Sequence, residues 1–112
     1  MRMGTAIFAA VTLVGCATAS SLEQRKPTFE ASTTKTDKIY AMCVVAHWVK
    51  IAPAAHAVEA EDGFRVIVPD PTAGMDELLV VRSKANGAEV ALHERIEILA
   101  MRAYRDTARA CL

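Results

Sequence analysis

The residues able to do chemistry are few and widely spaced. Cysteines stand at Cys16, Cys43 and Cys111, and histidines at His47, His56 and His93. A zinc site built from ligand pairs such as Cys-x-x-Cys is absent, as is the His-Glu-x-x-His pair of zinc hydrolases. Neither a Gly-x-Ser-x-Gly elbow nor a Gly-rich phosphate loop occurs. His93-Glu94, at what reads as a strand end, is in principle a general-base pair. Histidines on an exposed strand face and a helix flank account for all three more simply. Glu59, Glu61 and Asp62 surround a tight turn, where solvation explains them. These residues give no reason to assign a catalytic residue, a metal or a non-covalent cofactor.

The elements that would position them fit within one domain, given 112 residues. Lys and Arg total 13 against 13 Asp and Glu, so the whole chain carries no pull toward nucleic acid. The hydrophobic fraction, 53%, is partly spent at the amino terminus. There Met1–Gly4 carries one base, Arg2, and Thr5–Val14 is an apolar block too short for a bilayer span of about 20 residues. A basic start, a short apolar centre and small residues after it are the layout of a secretory signal peptide.

The block ends in Leu13-Val14-Gly15-Cys16, which resembles the lipobox of bacterial lipoproteins. The resemblance implies that residues 1–15 are removed and that Cys16 carries a diacylglyceryl thioether and an N-acyl group. Several acyl chains suffice for stable anchoring, at about 0.8 kcal/mol per buried methylene. Ala17 stands where inner-membrane retention favours Asp, so the resemblance points to the periplasmic leaflet of an outer membrane. Residues 16–35 are rich in Ser, Thr, Ala and charge, and read as a lipidated start and flexible tether.

Residues 36–112 read as a small α+β domain. Thr34 or Thr36 caps a helix, Asp37 favours its first turn and Pro53 ends it. Ile39, Met42, Cys43, Ala46 and Val49 follow the spacing of a buried face, with Tyr40 and Trp48 on a flank. Two hairpins follow. His56–Ala60 and Phe64–Val68 flank Glu61-Asp62-Gly63, and Leu78–Arg82 and Glu89–His93 flank Ala85-Asn86-Gly87. A loop, Pro69–Gly74, separates them. Glu94–Leu112 reads as a second helix, with Ile96, Leu99, Ala100, Ala103, Thr107, Ala110 and Cys111 inside. The expected architecture is helix, four-stranded antiparallel sheet, helix, in two layers.

With Cys16 assigned to lipid, Cys43 and Cys111 remain on the two helices. In an oxidising exported compartment the reading is a disulfide between them, worth roughly 4 kcal/mol on chain-entropy grounds; the alternative is two separate buried thiols. Arg95, Arg102, Arg105 and Arg109 follow helical spacing. They form a candidate surface for anionic headgroups or cell-wall acids, against the simpler reading of a solvated helix face. The expected function is a non-enzymatic binding or structural module anchored in the envelope, with an envelope protein or cell-wall component as partner. The alternative is a periplasmic inhibitor of a secreted enzyme such as lysozyme.

Overall fold

The computed structural model describes residues 21–72, 74–95 and 102–112. The signal-peptide segment and Cys16 lie outside them, as do Ile96, Leu99 and Ala100. The elements in chain order are β1 (Phe29–Thr33), α1 (Asp37–Trp48), β2 (His56–Ala60), β3 (Gly63–Asp70), β4 (Gly74–Lys84), β5 (Gly87–Glu94) and α2 (Arg102–Ala110). The strands form one antiparallel sheet in the order β1-β5-β4-β3-β2. The α+β class is as expected, with five strands in place of four.

The fifth strand comes from the stretch read as tether. Phe29–Thr33 pairs with β5, Phe29 opposite Leu92 and Thr33 opposite Ala88. The segment before it is also docked. Leu22 is buried against Leu78, Val80, Ile67 and Met75 on the sheet face opposite α1. Glu23 pairs with Arg82 at 3.1 Å, and the Arg25 carbonyl accepts from His93 at 2.8 Å. The polar composition hid one well-placed leucine and one edge strand. Residues 21–28 are a strap across the back of the sheet rather than a tether.

The loop expected between the hairpins is also shorter. Pro69 faces Met75 and Asp70 faces Gly74 across a register shift after Val68, so β2 to β5 form one continuous meander. A bulge accommodates the proline, whose missing N–H would break a regular ladder. Each of the other two turns has two residues, because Ala60 pairs with Gly63 and Lys84 with Gly87. Their glycines therefore open strands rather than sit at the turn tips. Both have positive φ, +148° at Gly63 and +137° at Gly87. A Cβ at Gly63 would lie 2.1 Å from the Val81 carbonyl oxygen, and one at Gly87 1.9 Å from that of Thr33. Close backbone approach and a φ that L side chains rarely adopt both demand glycine there.

Thr36 caps α1, its hydroxyl accepting from Ile39 N–H at 3.2 Å, with Asp37 in the first turn. The helix ends at Trp48, ahead of Pro53. Its buried face is Tyr40, Ala41, Val44 and Trp48, not the Ile39–Met42–Ala46 stripe. Ile39 is 59% exposed and Met42 41%. The helix is apolar nearly all round, so spacing alone could not choose a face. The sheet takes the stripe carrying both large rings, whose burial contributes most. Trp48 stacks edge-on against Tyr104 of α2, centroids 5.1 Å apart. The core lies between these rings and Val66, Val68, Leu79, Val81, Val90 and Leu92.

The second helix does not start at Glu94 as expected. Glu94 ends β5, and the described helix starts at Arg102. Tyr104, Ala108 and Cys111 are buried, Ala103 and Thr107 are half-buried, and Ala110 is exposed. As on α1, an aromatic ring sets the inward face. Gly87→Ala should lower stability by about 2 kcal/mol or more, read as the urea midpoint, by forcing β1 away from β5. An unchanged midpoint would show that β1 does not press on this position.

Candidate functional site

Two clusters of reactive or ionisable side chains are assembled by the fold. One surrounds the bridge between Cys43 of α1 and Cys111 just beyond α2, which are joined with Cα atoms 5.9 Å apart and 68 positions apart in sequence. The disulfide pairing read from the sequence is present in the structure. His47 lies one helical turn after Cys43, and its Nδ1 is 2.9 Å from the Cys43 carbonyl oxygen. A carbonyl only accepts, so Nδ1 carries a proton, and in the neutral ring the lone pair is then on Nε2. Both Sγ atoms and a His47 ring nitrogen lie within 4.8 Å of one another. They line an open groove of about 300 Å³ together with Asp106, Thr107 and Ala110. Helical spacing placed Cys43 and His47 side by side in the sequence. Cys111 arrives from the far end of the chain, which no local motif could announce.

The second cluster was missed. Glu77 of β4 and Glu94 of β5 are cross-strand partners, 2% and 3% exposed. Strand alternation puts both on the α1 side of the sheet, in line with Leu79 and Leu92. Arg105 of α2 reaches Glu94, Nε 3.0 Å from Oε1, at an angle off that of a good hydrogen bond. Burial, followed by hydrogen bonding to and repulsion from Glu94, pushes the Glu77 carboxyl up to about 10. At neutral pH Glu77 is thus an uncharged acid, buried beside Glu94 and the Arg105 guanidinium. Burial, then the nearby Glu77 and Asp76, also raises Tyr104. The available signal was a Glu at each end of paired apolar runs, with the same parity as core residues.

The strand geometry removes the candidate His93–Glu94 base pair, since successive strand residues face opposite sides. His93 is buried on the strap side, Nδ1–H donating to the Arg25 carbonyl, and is not the surface histidine expected. His56 is exposed, with Nδ1 3.0 Å from the Ala54 carbonyl oxygen. The four arginines do not form a row either. Arg95 lies beyond β5 and holds Asp76 at 2.6 Å, while Arg105 turns to Glu94. Arg109 sits 5.1 Å above the Phe29 ring and 3.9 Å from Asp106. Only Arg102 is exposed without a partner among the described residues. Cys16 lies outside the described residues.

No family model, curated protein or solved structure matches the chain. Its site is therefore read from its own geometry. Among the described residues no helix is long and apolar enough to cross a membrane.

The acid pair makes stability pH-dependent with a definite sign. A folded-state value raised to about 10 means that the folded protein holds a proton which the unfolded chain releases above about 4.5. This contribution is present in full below about 4.5 and declines as pH rises toward 10. Glu77→Gln keeps a donor for Glu94 and removes the titration. Its melting temperature should exceed that of the parent at pH 8 and approach it at pH 5. A variant whose deficit or gain is the same at both pH values would exclude a protonated Glu77.

Proposed function

We propose that the chain is a small lipoprotein of the cell envelope, anchored through Cys16 in the periplasmic leaflet of an outer membrane. It acts there as a non-enzymatic binding or structural module. The observation that carries the compartment is the Cys43–Cys111 bridge, a bond that persists where thiols are oxidised. The lipobox-like Leu13–Cys16 stretch supplies the anchor. Residues 17–20 alone separate Cys16 from the docked strap, a reach of at most roughly 17 Å for five peptide steps. The domain is thereby held against the bilayer surface instead of standing off on a long leash.

The binding role rests on α1. Its outward stripe, Ile39, Met42 and Ala46, is as regularly apolar as the face that packs on the sheet. An apolar face of this kind on a secreted domain suits a protein partner within the envelope. A photo-crosslinking residue placed at Met42 should yield one discrete adduct in cells, and one at exposed Glu61 none. Equal, diffuse labelling at both would remove the binding role. An adduct with a secreted hydrolase such as lysozyme would turn the reading toward an inhibitor. Separately, a clickable fatty acid should label the parent and not Cys16→Ser, which should also leave the membrane fraction. Label retained by Cys16→Ser would overturn the anchor.

A further inference from the structure

We infer that the Cys43–His47–Cys111 cluster is a soft-metal site gated by its own disulfide. In the bridged state both sulfurs are committed to each other. A dithiol reductant opens the bond: its first thiolate attacks the more accessible Cys43 Sγ, Cys111 leaves as thiolate, and the second reductant thiol displaces Cys43. Two electrons and two protons pass to the protein, and the reductant becomes a cyclic disulfide. The freed groups are two sulfurs and the Nε2 lone pair of His47, a donor set suited to a d10 cation such as Zn²⁺. Binding then displaces the two thiol protons.

The fold already gathers the three ligand residues, and opening the bond lets the sulfurs separate. A tetrahedral zinc with bonds of about 2.3 Å to sulfur and 2.0 Å to nitrogen needs ligand atoms roughly 3.5–3.8 Å apart. Both Sγ atoms and one ring nitrogen of His47 already lie within 4.8 Å of one another. His47 Nδ1–H donates to the Cys43 carbonyl, the outer contact that fixes the tautomer of metal-bound histidines. The groove leaves room for a fourth ligand, water or the Asp106 carboxylate on its wall.

Opening the bond does not release Cys111 from the cluster. Tyr40 donates to the Ala108 carbonyl at 2.7 Å, Thr33 to that of Leu112 at 2.7 Å and Lys35 to that of Cys111 at 2.6 Å. These contacts hold the end of α2 on α1 and β1 in either redox state. The site does not involve the lipid anchor, which lies at Cys16.

The test uses the full chain carrying Cys16→Ser, reduced with a phosphine under nitrogen and titrated with Co²⁺. One equivalent should bind with thiolate-to-cobalt absorption, Zn²⁺ should displace it, and the far-UV spectrum should remain that of the bridged protein. The bridged protein should bind none. His47→Ala should weaken binding at least about tenfold, while His56→Ala, a histidine outside the cluster, should leave it unchanged. Absence of Co²⁺ binding, equal affinity in His47→Ala, or loss of the folded spectrum on reduction would each overturn the site.

Discussion

A helix leaves its last carbonyl groups without partners, and in this domain those of α2 are answered by the other end of the chain. The hydroxyls of Thr33 and Tyr40 and the ammonium of Lys35 donate to Leu112, Ala108 and Cys111. Lys35 also places a positive charge against the negative end of the helix dipole. The disulfide lies in the same junction. Around it the rest is arranged: β1 must lie beside β5 for Thr33 to reach, α1 must lie across the sheet for Tyr40 to reach, and Trp48 and Tyr104 then meet edge to edge.

The opposite end of the sheet is held by charge instead. Glu77 and Glu94 are buried where α2 approaches β4 and β5, with the half-exposed Arg105 reaching Glu94. Such a group is poor value as stabilisation, since its members would be better solvated in water. Keeping Glu77 protonated lowers that cost. On the outer face, Asp62 links Arg65 and Arg82, and Arg82 extends to Glu23 of the strap. That network is largely solvent-exposed, so its role is to set the strap's position more than to add stability.

Local signals were legible wherever chemistry is local. Thr34 or Thr36 marked the start of α1, the two glycines announced hairpins, and the apolar parity of Val66–Val68 and Val90–Leu92 announced strands. The failures came where the choice was tertiary. An almost uniformly apolar α1 offers two stripes, and only the opposing sheet decides between them. Phe29–Thr33 reads as polar linker because an edge strand needs few apolar residues. One overlooked cue existed: Leu78 to Val81 are four consecutive buried residues, and a strand apolar on both faces requires cover on both. Leu22 is that cover. Within the candidate sites, Cys43 and His47 were neighbours by helical spacing, whereas Cys111 and the Glu77–Glu94 pair depended on topology.

The strap and β1 have a temporal meaning. They precede every other described element in sequence, yet their partners are β4 and β5, the last strands to be made. A chain emerging amino terminus first can close the β2–β5 meander from neighbouring segments, while its own first strand waits. Contacts that bridge such distances form late, because loop entropy must be overcome before they reward the chain. Leu22 therefore gains its cover only once β4 is in place, and Phe29 its half-buried position only once β5 is. The outer face of the sheet and its β1 edge are thus completed only after β5 has been made.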